Sequence, residues 1–290
     1  MKICISALTD TGLERENNED ACIYCPDLEH PSWPEEGMDY YKPLSQAGSL
    51  LVVADGMGGT NAGEVASALA IETVSKAFTA EAAEAALSSA EATDSLLVTT
   101  IRQADKVINE RIIADPDTAG MGTTIVLCWL QQDKARIAWC GDSRCYLLRK
   151  GQLRLLTKDH SYVQELVDSG KITPEEAFNH PDSNIITRGL GDFDSAVEPD
   201  LVSVEVEPED TFLLCSDGLC GYCTDEQIAE VMQQPDVTTE MQADRLLHLA
   251  LDAGGYDNIS IVVANVLDDN AQPPTPPSTG LWNKLKKLLG

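Results

Sequence analysis

The sequence predicts an α+β protein in which two stacked antiparallel sheets are flanked by helix pairs. Three observations lead there. Short apolar runs of strand length dominate the chain, and several are separated by turns too short to hold a crossover helix. The helical patterns fall in two separate blocks instead of alternating with the strands, which argues against βαβ units. So many strands would make one sheet very wide, and two packed sheets solve that.

The elements follow in chain order. "KICISAL" (2–8), "ACIYC" (21–25) and "SLLVVA" (49–54) are the first strand-length runs. Helical periodicity covers 61–79 and 92–114. The next runs are "TTIVLCWL" (123–130), "ARIAWC" (135–140) and "RCYLLR" (144–149). The short links "QQDK" (131–134), "GDS" (141–143) and "KGQ" (150–152) suit antiparallel hairpins. Residues 157–190 are polar, mostly helical by pattern, and interrupt the strands as an inserted flap. Strands resume with "LVSVEVE" (201–207), "TFLLCS" (211–216) and "NISIVVANV" (258–266), and helices are expected over 225–233 and 240–252. There is no internal repeat. "DDNAQPPTPPSTG" (268–280) is a proline-rich linker that cannot join a sheet. "LWNKLKKLLG" (281–290) is basic and amphipathic, and too short for a stable free helix. For this tail three readings stay open: a floppy end, a helix docking in a protein groove, or a weak anchor on an anionic membrane.

Composition bounds the function. The 290 residues are 43% hydrophobic, enough for one large domain or two small ones. With 48 acids against 20 bases the net charge is −28, which excludes a nucleic-acid or anionic-membrane surface for the body. The N-terminus shows no apolar signal region, and no run is long enough for a spanning helix. The nine cysteines, an odd number set mostly in apolar runs, read as reduced core thiols of a cytoplasmic protein.

Acids mark the strand ends. Asp55 ends "SLLVVA", Asp142 ends "IAWCG", and Asp217 ends "TFLLCS"; Asp257 precedes "NISIVV", and Glu19 and Asp20 precede "ACIYC". Turns alone explain some of these. The competing reading is that the ends converge, so that the carboxylates require a cation to offset their repulsion. Oxygen ligands select hard ions such as Mg²⁺ or Mn²⁺. Gly56 suits a carbonyl turned into such a site, and Arg15 could fork onto a phosphate. Other motifs fail. "GGTNAGEV" (58–65) has Glu64 where a P-loop needs Lys, "GMGGTN" lacks the last glycine of a dinucleotide fingerprint, and "CIYC" and "CGYC" read as core packing. The four histidines are scattered.

Taken together the motifs resemble the metal-dependent serine/threonine protein phosphatases of type 2C, in their short bacterial form. The matching pieces are "TDTGLERENNED" (9–20), "VVADGMGG" (52–59), "GMGTT" (120–124), "GDSR" (141–144), "LTKDHSYVQELVDSGKIT" (156–173), "NIITRGLG" (184–191), "LLCSDGL" (213–219) and "GGYDNIS" (254–260). They stand in family order over about residues 3–267. The resemblance implies an αββα sandwich and a phosphoserine/phosphothreonine hydrolase using two Mn²⁺ or Mg²⁺ ions, with room for a third. It implies that Asp55 bridges both ions, Gly56 lends its carbonyl to one, and Asp217 and Asp257 bind the other. Asp20 would hold metal-bound waters with Glu19 outside it, Asp142 with Asp217 would form the third site, and Arg15 would bind substrate phosphate. The implied reaction is direct attack of a water bridging two cations, without a phosphoenzyme. Implied partners are phosphoproteins, substrates of a serine/threonine kinase, acted on by a monomer. The alternative is a phosphoprotein-binding pseudophosphatase without turnover.

Three departures stand out. Met57 occupies the place of a histidine proposed as general acid in animal members, as in many bacterial relatives. Ser183 stands where bacterial relatives often carry Arg on the flap. Residues 26–48 form a long connection where relatives often have a short turn, read as a tolerated insertion in preference to a rim of the cleft.

Overall fold

The computed structural model describes residues 1–35, 42–58, 62–193, 196–234 and 237–271. Most of the proline-rich linker (272–280) and the basic tail (281–290) lie outside the described residues, as do 36–41 of the long connection and Gly59 to Asn61.

The chain begins with β1 (Lys2–Asp10), β2 (Ala21–Cys25), β3 (Lys42–Pro43), β4 (Ser49–Ala54) and β5 (Gly56–Met57). Helices α1 (Ala62–Ala77), α2 (Ala80–Ala86) and α3 (Ala90–Ala114) come next. Then follow β6 (Gly122–Thr123), β7 (Ile125–Leu130), β8 (Lys134–Cys140), β9 (Arg144–Arg149) and β10 (Gln152–Leu155). The flap carries α4 (Tyr162–Asp168) and α5 (Pro174–Phe178), before β11 (Leu190–Gly191), β12 (Asp200–Glu205) and β13 (Thr211–Cys215). The last elements are α6 (Asp217–Cys220), α7 (Asp225–Met232), α8 (Thr239–Asp252) and β14 (Ile259–Leu267).

Two antiparallel sheets stack face to face. One runs β10-β9-β13-β14-β1-β3, the other β12-β8-β7-β4-β2, and a small third sheet, β11-β6-β5, sits beside them. β4 shows why its run is apolar without alternation. Leu50, Val52 and Ala54 pack with α1 and α3, while Leu51 and Val53 pack between the two sheets. A strand covered on both faces has no solvent side to make polar. On the outer face of the six-stranded sheet, Leu213, Cys215 and Ile261 pack against Ile228 of α7 and Leu246 of α8. The result is the αββα order.

Several local features depart from the expected pattern. The run 123–130 is not one strand: β6 leaves for the third sheet, Thr124 makes the bend, and β7 starts at Ile125. The flap is less helical than its pattern suggests, because α4 and α5 are short and turns fill the rest. Ser161 caps α4 and Thr173 caps α5 through a reciprocal capping box with Glu176. Local side-chain caps fix where such short helices start. "KG" at 150–151 makes the expected hairpin turn, with both residues at positive φ and Arg149 paired to Gln152.

The long connection lies along sheet edges. The Pro34 carbonyl accepts from Tyr24 N (3.2 Å) on the edge strand β2, and β3 pairs with β1 at the edge of the other sheet. Leu28 and Leu44 are buried, and Trp33 packs on the core. Covering exposed strand edges blocks pairing with other chains. At the other end of the chain, the first linker residues fold onto the N-terminus. The Met1 ammonium contacts Asp269 at 2.7 Å, and Lys2 Nζ donates to the Ala271 carbonyl at 3.0 Å.

All nine cysteines are free and buried, including both pairs with two-residue spacing. Among the described residues no helix is long and apolar enough to cross a membrane.

Candidate metal centre

Sheet polarity brings the acids together. β2 and β4 are antiparallel with Ala21 opposite Ala54, so the start of β2 (Asp20) and the end of β4 (Asp55) share one end of the sandwich. β8 runs in the same direction as β4, since each is antiparallel to β7, and delivers Asp142 to that end. In the other sheet, Cys215 pairs with Ile261, which sets Asp217 beside Asp257.

Backbone bonds pin Asp55. Its N–H donates to Thr124 Oγ1 (3.1 Å), and its carbonyl accepts from Thr124 N (2.8 Å) and Thr123 Oγ1 (2.9 Å). Thr124 Oγ1 also meets Ser143 Oγ at 2.7 Å, which ties the Asp142 loop to the same point. Gly56 is buried, and a Cβ there would lie 2.3 Å from the carbonyl oxygens of both Glu19 and Gly63. Only glycine fits between these two backbones.

The other acids are held as closely. Asp20 Oδ2 accepts from Ser216 Oγ at 2.6 Å. Asn258 Oδ1 accepts from Glu19 N (2.8 Å), and its amide donates to the carbonyls of Thr11 and Asn17, both at 2.9 Å. Glu19 has its carboxylate against the Gly63 N–H in the first turn of α1, where the helix dipole favours an anion. Arg15 is half exposed, and its Nη2 donates to Asp257 Oδ2 at 2.6 Å. Asp142 comes from the GDSR turn, where His160 N donates to the Gly141 carbonyl (3.0 Å) and Gly141 N to His160 Nδ1 (3.1 Å).

The electrostatics are those of crowded anions. Burial, then repulsion from Asp20, Asp217, Asp142 and Asp257, holds the Asp55 carboxyl well above the usual range. Burial pushes Asp20 up to about 7, with Ser216 opposing and Asp217 adding repulsion. Asp217 is pushed up to about 6 by burial and by Asp257. Asp142 is raised by burial and by Asp217, and its Oδ1 is buried with no hydrogen-bond partner. Buried carboxylates raised by one another, with an orphaned oxygen among them, form a donor set that suits hard divalent cations.

Every residue read from the sequence as a site residue, Arg15, Glu19, Asp20, Asp55, Gly56, Asp142, Asp217 and Asp257, therefore lies in one cluster. The positioning residues Thr123, Thr124, Ser143, His160, Ser216 and Asn258 were not assigned roles from sequence. They do stand inside the quoted motifs, and Ser143, His160, Ser216 and Asn258 each adjoin an acid. One further acid group, Asp27, Glu29 and His30, lies in the long connection, outside this cluster.

The fold and the site define a class: a two-sheet sandwich carrying an acid-lined cation site at one end. The sequence profile of the family described as protein phosphatase 2C matches residues 39–249, and the chain belongs to this family. It is 39% identical to the serine/threonine protein phosphatase PstP of Mycobacterium tuberculosis over 91% of this chain, and spans 45% of that protein, less than half its length. It is 40% identical to the serine/threonine phosphatase stp of Listeria monocytogenes, over 74% of this chain and 83% of that one. The crystal structure of the PstP catalytic domain in complex with two manganese ions superposes with a TM-score of 0.73 at 36% identity, covering 92% of this chain and all of that one.

Proposed function

We propose that residues 1–267 form a catalytic domain that hydrolyses phosphoserine and phosphothreonine in proteins, using Mn²⁺ or Mg²⁺. The observation that carries this reading is the convergence of the buried Asp20 and Asp142 with the partly buried Asp55, Asp217 and Asp257, where burial and then mutual repulsion raise the carboxyls of Asp55, Asp20 and Asp217. Relatives named as serine/threonine phosphatases, one of them solved with two manganese ions, support it.

In this reading Asp55, the Gly56 carbonyl, Asp217 and Asp257 would hold the two core ions, with Asp55 common to both. Glu19 and Asp20 would stand around them, and Asp142 with Asp217 would hold a third. Bound there, divalent cations acidify water and neutralise charge on phosphate oxygens. The chain's own groups do the rest. Arg15, at the mouth, turns donors onto the substrate phosphate and stabilises its equatorial oxygens. Asp20, fixed by Ser216, orients water for in-line attack. The phosphorus–oxygen bond to the seryl or threonyl group breaks as the bond to water forms; the attacking water gives up its proton to the water around Asp20, and the leaving oxygen takes its proton from a water held in the site, since Met57 has none to give. The cysteines offer no nucleophile: all are buried, burial raises Cys223 to about 11 and holds Cys145 well above its usual value, and the hydrogen bond with Cys215, then burial, does the same for Cys220. Residues 268–280 then serve as a proline-rich linker and 281–290 as a basic tail for docking on a protein.

The test is phosphate release from a phosphothreonine peptide by the purified chain. Turnover is expected with Mn²⁺ and lost in EDTA; activity that survives EDTA would overturn the reading.

A further inference from the structure

A cleft of about 580 Å³ opens from Asp142 and Asp217 between the flap and the start of α7. Its lining has two characters. Val163 and Phe178 of the flap and Tyr222 of the α6–α7 turn supply apolar wall, with Phe178 and Tyr222 exposed. Glu175 on the flap and Asp225 and Glu226 at the start of α7 supply acid. Arg144 is the one basic residue among those lining the cleft, and its charge is already engaged. Its Nε and Nη2 hold Asp159 at 3.0 and 2.7 Å, and its Nη1 lies 3.7 Å from Asp225. The Glu226 carboxylate has no hydrogen bond or ion pair among the described residues. The cleft is continuous with the metal centre, since Asp217 and the orphaned Asp142 carboxylate line its inner end.

We infer that this cleft is a specificity subsite that takes a lysine or arginine side chain of the phosphoprotein substrate, close in sequence to the phosphorylated residue. The inference rests on the phosphatase reading above. Its chemistry is complementary on both counts. A long aliphatic stem covers Val163, Phe178 and Tyr222, while a cationic head reaches the carboxylates at the rim. The faces of Phe178 and Tyr222 add attraction for the cation. A peptide bringing only its phosphate would enter a cleft of one sign, and a basic neighbour offsets that field. Glutamate or aspartate at the same place would be repelled, which gives discrimination as well as affinity.

The experiment uses the full chain with saturating Mn²⁺ and phosphothreonine peptides that differ only in carrying Lys, Gln or Glu at one flanking position, scanned in turn. At one position the Lys peptide is expected to show a KM roughly threefold or more below the Glu peptide, with kcat little changed. That ratio should shrink in a Glu175→Gln, Glu226→Gln double variant and at high salt. Equal KM values for the three peptides at every position, or a ratio undiminished in the double variant, would overturn the inference. A parallel arm measures binding of the same peptides built with a non-hydrolysable phosphonate. If no peptide is hydrolysed, the phosphatase reading fails, and tighter binding of the Lys phosphonate still decides the cleft: its presence supports the subsite and its absence overturns it.

Discussion

Arg15 donates to Asp257 at 2.6 Å, so in this structure the guanidinium offsets charge on a residue assigned to the metal core. A phosphate ligand in that position acts through substrate. Arg15→Ala should lower kcat/KM about 10- to 100-fold, the cost of a charge-assisted hydrogen bond. Mn²⁺ affinity should not fall, because the variant frees Asp257 of a competing cation. Calorimetry of Mn²⁺ binding beside steady-state kinetics separates the two effects, and collapsed metal affinity with an unchanged KM would make Arg15 structural. His160 carries a second prediction. Gly141 N–H donates to its Nδ1, so the proton sits on Nε2 and faces Asp200 at 3.2 Å. Burial lowers its affinity for a second proton despite Asp200. With the folded value below the unfolded one, near 6.5, stability is full above that pH and is lost as pH falls below it. His160→Gln should melt lower at pH 7.5, by about 1–3 kcal/mol for the orphaned Gly141 N–H, yet lose less than the parent on going from pH 7 to pH 5. Parallel pH profiles for the two proteins would contradict this. Acids at strand ends could be read from sequence because strand interiors exclude them. His160 and Ser216 could not, since a scattered histidine and a serine in an apolar run carry no sign of which partner they hold.

At the scale of elements, the bend at Thr124 connects the fold to the site. One hydroxyl accepts the Asp55 N–H and meets Ser143, so it holds the ends of β4 and β8 together. Thr124→Val keeps the shape and removes both bonds. It should lower stability by about 1–3 kcal/mol and weaken Mn²⁺ binding, as a melting curve and a metal titration would show. An unchanged Mn²⁺ affinity would mean that Asp55 does not depend on this bend. Here sequence reading reached its limit. "TTIVLCWL" has the composition of a single strand, and nothing local signals that Thr123 and Thr124 turn back to Asp55, more than sixty residues earlier. The long runs agree with the sequence: β4, β13 and the interior of β9 are buried and apolar, and a continuous apolar run of strand length reports burial on both faces. Two-residue strands such as β5, β6 and β11 have no periodicity to read. The flap's polarity was visible, but its short helices begin and end on caps, and the expected mostly helical segment became two brief turns of helix.

On the scale of the whole molecule, β1 and β14 pair along their full length, Lys2 with Leu267 and Asp10 with Ile259, so both ends of the domain meet in one sheet. Among the described residues, the segment after β14 meets the N-terminus through the Met1–Asp269 ion pair, exposed on the Asp269 side, and through Lys2 on the Ala271 carbonyl. Exposed pairs of that kind contribute little. Deleting 272–290 should leave peptide turnover and melting temperature unchanged while altering which proteins co-purify; a large fall in melting temperature would show that the tail packs on the domain. The proposed chemistry resides in the acid cluster at the end of the sandwich. The most direct measurement is Mn²⁺-dependent phosphate release from a phosphothreonine peptide by the parent, Asp55→Asn and Asp142→Asn. Asp55 is assigned to both core ions and Asp142 to a third. The expected result is therefore a loss on the order of a hundredfold or more for Asp55→Asn and a smaller one for Asp142→Asn. A near-parental rate for Asp55→Asn would contradict it.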